Sequence, residues 1–156
     1  APAGDALAHA AARVKPALRF AAHSGEALSV DFDKYSGGHG VFTAGTDSLV
    51  QLWDLRRPGA EPAATGGGHD LASRHVCASP FRPREAATCS YDATVRLWAP
   101  PEPGAEASAW PAGALRERAR LDAHTEFTTG ADFCLFLPGL LATAAWDRRL
   151  LLWQQA

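Results

Sequence analysis

HTEFTTGADFCLFLPGLLATAAWDRRLLLW, residues 124–153, holds a histidine, His124, a threonine nineteen residues on, Thr143, an aspartate four later, Asp147, and a tryptophan six beyond that, Trp153. His69, Thr88, Asp92 and Trp98 repeat these offsets without change. His23, Thr43, Asp47 and Trp53 repeat them with one residue added between His and Thr. Four polar or amphipathic residues that return three times at fixed offsets define a structural unit.

Between the His and the Thr of each unit lies an apolar, alternating run: Leu28 to Phe32, His75 to Cys77, and Ala131 to Phe136. A turn and a second short run lead to the Asp, and a third run ends at the Trp: Leu49 to Trp53, Thr94 to Trp98, Leu150 to Trp153. Period-two alternation of this length, bounded by Gly, Pro and Ser, predicts β-strands. The Asp then stands in a tight turn between the second and third strands. From there its carboxylate can accept a hydrogen bond from the His, which in turn reaches the Thr hydroxyl, and the Trp indole N–H closes the set. Such a network satisfies polar groups that a sheet would otherwise bury unpaired, and so holds one strand geometry.

The unit resembles the WD repeat of β-propellers, whose blades are four-stranded and recur every 40 to 45 residues or so. Here the His-to-His steps are 46 and 55 residues, the longer one carrying an insert. The phrases HSGEALSVDFDKY, TAGTDSLVQLWDLR, SPFRPREAATCSYDATVRLW and HTEFTTGADFCLF, chiefly through SPF, CSYD and HTEFT, are further similar to the C-terminal half of the peroxisomal receptors for type-2 targeting signals. The likeness runs from about residue 16 to 153, most of this chain and about half of that family's propeller. It implies an all-β fold: about three consecutive blades of an incomplete, seven-bladed WD-repeat β-propeller. The repeats fall at about 23–55, 69–99 and 124–153, within a domain of residues 16–156.

Length and composition set the limits. A chain of 156 residues is enough for one domain with a core of its own. The net charge is −2 and no run of five like charges occurs, so no nucleic-acid or membrane surface is indicated. No stretch of 18 apolar residues and no signal-peptide core is present, which points to a soluble cytosolic protein without direct membrane insertion. Cys77, Cys89 and Cys134 fall on three predicted strands without CxxC spacing and read as buried reduced thiols. His23, His69 and His124 head the repeats, and His9, His39 and His75 have no partner pattern, so neither a metal site nor a cofactor is expected.

The segments between the units are less regular. Residues 1–15 match no strand of the repeat and read as an irregular lead-in. Ala17 to Phe20 has the place of an outer strand of a preceding blade. Residues 56–68 must hold the outer strand of the first unit, short or irregular because of Pro58, Pro62 and three consecutive glycines. Residues 99–114, with prolines at 100, 101, 103 and 111, read as an inserted surface loop. Leu115 to Leu121 reads as the next outer strand, although AGALRERARL also suits one short helix. Trp110 either packs over the insert or meets a partner. Three units cannot close a ring, so a natural fragment or truncated gene product is expected, with two open lateral faces that promote association.

Nothing in the sequence offers catalysis: there is no Gly-rich phosphate loop, no nucleophile elbow and no metal-ligand set. Asp31, Asp132 and the turn aspartates recur with the repeat and belong to the fold rather than to acid/base work. Asp33 lies outside the pattern and is expected to matter little for stability. Propellers bind through the loops of one rim, where Glu26, Thr46, Asp70, Tyr91, Glu126, Phe127 and Trp146 are placed. Tyr91 and Trp146 have no duty inside the repeat, since the first repeat has Thr46 at their position. Aromatic anchors beside carboxylates suit a peptide with one basic and one apolar face. The resemblance implies such a ligand: the N-terminal amphipathic helix of peroxisomal cargo proteins, bound together with a co-receptor. It also implies import docking proteins as partners, and a receptor that shuttles between cytosol and peroxisome matrix. A general WD scaffold, such as a substrate-recruiting subunit of a ubiquitin ligase or a chromatin adaptor, would share every His-Thr-Asp-Trp set and differ only on the rim.

Overall fold

A computed structural model describes residues 15–57, 61–101 and 113–154; most of the lead-in, His9 and Trp110 lie outside the described residues. The described residues contain strands and no helix. In chain order the strands are β1 (Ala27–Phe32), β2 (Gly40–Gly45), β3 (Leu49–Asp54), β4 (Ala64–Gly67), β5 (Ser73–Ala78), β6 (Ala86–Ser90), β7 (Val95–Ala99), β8 (Gly113–Ala114), β9 (Arg116–Leu121), β10 (Thr128–Phe133), β11 (Leu140–Ala145) and β12 (Leu150–Gln154). They form three sheets, β1-β2-β3-β4-β8, β5-β6-β7-β9 and β10-β11-β12, antiparallel throughout except for β4 with β8. Each sheet is a blade of a partial propeller, with β1, β5 and β10 innermost.

Several expectations need correction. Residues 17–20 form no strand; Phe20 instead lays its ring against Trp53, with centroids 4.9 Å apart. β10 ends at Phe133, so Cys134 to Phe136 enter the following loop, and Cys134 is only partly buried. The outer strand of the second blade starts at Arg116, and AGALRERARL is not a helix. The end of the insert turns back to the first blade. There β8 pairs in parallel with β4, and the adjoining Leu115 is buried in the core between the first two blades.

The outer strand β4 is short, and its glycines answer a packing need. A Cβ on Gly66 would stand 2.7 Å from the Trp98 ring, so only glycine lets β4 pass over that indole. Two apolar layers hold the blades together. Phe42, Ala44, Val50 and Leu52 of the first blade meet Val76, Ala78 and Trp98 of the second. Cys77, Ala87, Cys89, Val95 and Leu97 of the second meet Ala131, Phe133, Leu141 and Trp153 of the third. Side chains of β1 also satisfy the open inner edge of β5: the Ser29 hydroxyl accepts the Val76 N–H at 3.1 Å and Asp31 accepts the Ala78 N–H at 2.8 Å. Asp33, far from idle, is buried and accepts the Arg84 N–H at 2.9 Å. It too ties the first blade to the second.

The repeat-equivalents of these core residues at either end of the stack are exposed. Leu150 and Leu152, which correspond to the fully buried Val50 and Leu52, are 66% and 65% accessible, and Val30 and Phe32, corresponding to Val76 and Ala78, are 64% and 52% accessible. Apolar surface of that extent favours association in water. The 156-residue chain is therefore expected to sediment above its monomer mass, and Leu150→Gln with Leu152→Gln to lower that mass; an unchanged, monomeric profile for both would contradict the expectation.

The turns between second and third strands repeat one strained detail. Ser48, Ala93 and Arg148, each directly after the turn aspartate, have positive φ of 65°, 66° and 65°. A side chain there meets its own backbone, a strain of about 1 kcal/mol that glycine relieves, less what glycine adds to the freedom of the unfolded chain. Ala93→Gly should thus raise the unfolding free energy by a few tenths to about 1 kcal/mol in urea denaturation.

Candidate functional site

The His-Thr-Asp-Trp sets come together in all three blades. In the second, the Trp98 indole N–H donates to Thr88 Oγ1 at 2.7 Å, Thr88 Oγ1 lies 2.7 Å from His69 Nε2, and His69 Nδ1 lies 2.9 Å from Asp92. Trp53, Thr43, His23 and Asp47 give 2.9, 2.8 and 2.9 Å in the same order, and Trp153, Thr143, His124 and Asp147 give 2.8, 2.8 and 2.9 Å. An indole can only donate and a carboxylate can only accept. The two ends therefore fix two links of the chain: the indole donates to Thr Oγ1, and the imidazole donates from Nδ1 to the carboxylate.

The second carboxylate oxygen builds the turn. It accepts the N–H two residues on in the second and third blades, Thr94 from Asp92 at 2.9 Å and Arg149 from Asp147 at 2.9 Å, while in the first blade the Leu49 N–H reaches, at 3.3 Å, the Asp47 oxygen that His23 also approaches. Burial by itself would raise these carboxyls, but the hydrogen bonds from His69 and Thr94 outweigh it and hold Asp92 far below the ordinary carboxylate range. Asp47 and Asp147 are lowered against burial in the same way, by His23 and His124. In the second blade the buried Arg96 adds a cation, 3.6 Å from Asp92 and 2.8 Å from Glu117.

On the same rim one backbone bond per blade brackets a pair of side chains. Thr46 N–H donates to Glu26 O at 3.0 Å, Tyr91 N–H to Ala72 O at 3.2 Å, and Trp146 N–H to Phe127 O at 3.0 Å. The bracket is constant and its occupants differ. In the first blade the Thr46 hydroxyl donates to the Glu26 carboxylate at 2.8 Å and keeps it below its usual range. Tyr91 of the second blade and both occupants of the third are aromatic and join across the blades: Tyr91 and Phe127 rings lie 5.0 Å apart, Phe127 and Trp146 5.1 Å. Tilted rings at this spacing attract one another beyond their buried area. Trp146 remains 64% accessible, so the run ends on an open face.

Of the residues assigned to the rim from sequence, Tyr91, Phe127 and Trp146 thus form one surface and Glu26 with Thr46 another; no ring contact or hydrogen bond joins the two groups among the described residues. Glu126 precedes Phe127 and is exposed, and Asp70 is exposed with its N–H on Asp92 at 3.1 Å. Leu71, exposed on the same rim, escaped the sequence reading. Its signal was available, since it stands two residues after the repeat histidine, as Glu126 does.

The described residues hold no group of three or more His, Cys, Asp or Glu able to bind a metal ion. No helix among them is long and apolar enough to cross a membrane. Burial pushes the Cys89 thiol up to about 12 and Cys77 higher still, which leaves both protonated and unreactive at neutral pH.

Comparison with known proteins adds the following. The WD domain, G-beta repeat family matches residues 61–99. The chain is similar to the peroxisomal targeting signal 2 receptor of Saccharomyces cerevisiae, 30% identical over 86% of this chain and 42% of that one. To the protein of the same name from Komagataella phaffii it is 38% identical, over 87% of this chain and 40% of the relative. It is 37% identical to peroxisome biogenesis protein 7 of Arabidopsis thaliana, over 60% of this chain and 26% of that protein. The chain thus spans about two fifths of the length of the two receptors.

Removing the acceptor at the end of one network tests its weight. Asp92→Ala leaves the His69 N–H unpaired at a buried site and should lower the unfolding free energy by about 1–3 kcal/mol, whereas Asp122→Ala, on an exposed carboxylate, should change it by less than about 0.5. Because Asp92 is depressed in the folded state, its contribution is complete above the ordinary carboxylate range near pH 4 and fades as pH falls below it. Acid unfolding curves should steepen below about pH 4 in the parent and less so in Asp92→Asn.

Proposed function

Because the chain is built of WD repeats and is similar over most of its length to peroxisomal targeting signal 2 receptors, we propose that it serves peroxisomal matrix protein import by binding type-2 signals on cargo. The observation that carries this reading is the run Tyr91, Phe127, Trp146, open at Trp146 and flanked by the exposed Glu126. A short amphipathic helix can lay its apolar side chains along the rings while its basic residues meet Glu126, Asp70 and the ionised Glu26. The role is recognition without chemistry. A co-receptor that covers the outward face of the bound helix, and docking proteins at the peroxisome, complete it, and the site of action is the cytosol with passage to the peroxisome matrix.

The reading is tested by the fluorescence anisotropy of a labelled type-2 signal helix against a scrambled helix of equal charge. Trp146→Ala should weaken the authentic signal by about 2 kcal/mol, roughly 30-fold, as expected of an aromatic anchor, and Glu126→Lys should weaken it through repulsion of the basic face. Both side chains are exposed, so the fold should survive. Equal binding of signal and scramble, or indifference to both substitutions, would leave the rings to another partner, as on a general WD scaffold.

A further inference from the structure

On the rim opposite the aromatic run, the second and third blades leave a cleft of about 210 Å³. Phe81, Phe133 and Pro138 line its apolar side, and Ser79, Arg82 and Glu85 its polar side. At the equivalent place between the first and second blades two hydrogen bonds cross the junction, and the repeat shows what differs. Tyr35 stands twelve residues after its repeat histidine, as Phe81 does, and Asp33 stands ten after, as Ser79 does. The Tyr35 hydroxyl donates to the Pro80 carbonyl at 3.0 Å and the Asp33 carboxylate accepts the Arg84 N–H at 2.9 Å, two ties that draw the loops of neighbouring blades together. Phe81 has no hydroxyl with which to make the first tie. The Ser79 hydroxyl turns back into its own loop and accepts the N–H groups of Phe81 and Arg82 at 3.3 and 3.1 Å. With these two changes of residue type, the junction beside the cleft lacks both ties that cross the other.

The cleft also has a charge preference. The Glu85 side chain is only 4% accessible and is held by Arg118 at 2.6 Å. Arg82 lies farther from the same carboxylate, at 3.7 Å, and is 48% accessible. One carboxylate faces two guanidinium groups, so the mouth keeps an excess of positive charge that points outward. The volume falls below the several hundred Å³, about 300 or more, of pockets for small ligands and cofactors. It matches instead a single anchoring side chain of a protein partner, the way a hot-spot residue seats in its pocket. The loop that supplies Pro138 exposes Leu135, Phe136 and Leu137 as well, which carries apolar surface past the mouth.

We propose that this cleft docks one aromatic side chain from an acidic segment of a partner protein, the ring among Phe81, Phe133 and Pro138 and a neighbouring carboxylate on Arg82. The surface is separate from the aromatic run and works independently of it.

A terminally blocked, fluorescein-labelled heptapeptide with one central phenylalanine flanked by aspartates is the probe, titrated into the 156-residue chain and read by anisotropy. Saturable binding is expected, at least tenfold weaker when lysines replace the aspartates or alanine replaces the phenylalanine. Arg82→Glu should weaken it at least tenfold through charge. Phe81→Tyr should weaken it too, by supplying the hydroxyl with which Tyr35 ties the other junction. Both variants should keep the parental melting temperature, and Trp146→Ala, on the opposite rim, should bind the probe as the parent does. No saturable binding, equal affinity for the lysine peptide, or indifference to Arg82→Glu would overturn the proposal.

Discussion

Each blade depends on a hydrogen-bonded chain whose direction is set at both ends. Trp gives a hydrogen bond to Thr, Asp can only receive one from His, and Thr and His are held together between them. One such chain ties the third strand to the second through Trp and Thr, and both to the loop that precedes the first through His. It does this in a buried place, where each polar group would otherwise lose its water without compensation. The turn aspartate has a double role: its carboxylate closes the network and shapes the turn around a residue at positive φ, through separate oxygens in the second and third blades. The strain of Ser48, Ala93 and Arg148 is therefore held by the network rather than by the residues themselves.

A scaffold determined in this way leaves other positions at liberty. The backbone bracket on the rim is the same in all three blades, yet it presents Glu26 with Thr46, Ala72 with Tyr91, and Phe127 with Trp146. The opposite rim shows the same economy: Tyr35 and Phe81 occupy one repeat position, as Asp33 and Ser79 do, and only the first of each pair ties its junction to the next blade. Blade junctions are the natural place for such differences. There two loops of different sequence face each other over strands whose geometry is already settled.

Much of this was legible in the chain itself. Fixed offsets announced the networks, alternation announced the inner strands, and the aromatic residues before two of the three turn aspartates stood out because the repeat does not require them. The errors have physical causes. Asp33 reads as incidental because its partner, the Arg84 backbone, lies 51 residues away in the next blade. Ala17 to Phe20 has strand character, but a strand needs a neighbour to pair with, and Phe20 found an indole instead. The return of the insert to β4 left no mark in the sequence, since Gly113 and Ala114 contribute only backbone to that pairing.

Sequence alone determined the kind of repeat, the number of units, the residues of each network and the rim to which the variable aromatics belong. These follow from local periodicity and from donor and acceptor chemistry that is the same wherever the unit occurs. Tertiary structure decided which of those residues meet: that Tyr91, Phe127 and Trp146 make one continuous run while Glu26 turns to Thr46, and that one blade junction is tied and the next is open. Such contacts join residues of different repeats. Their existence depends on how the blades pack against each other, a distance that no spacing along the chain encodes.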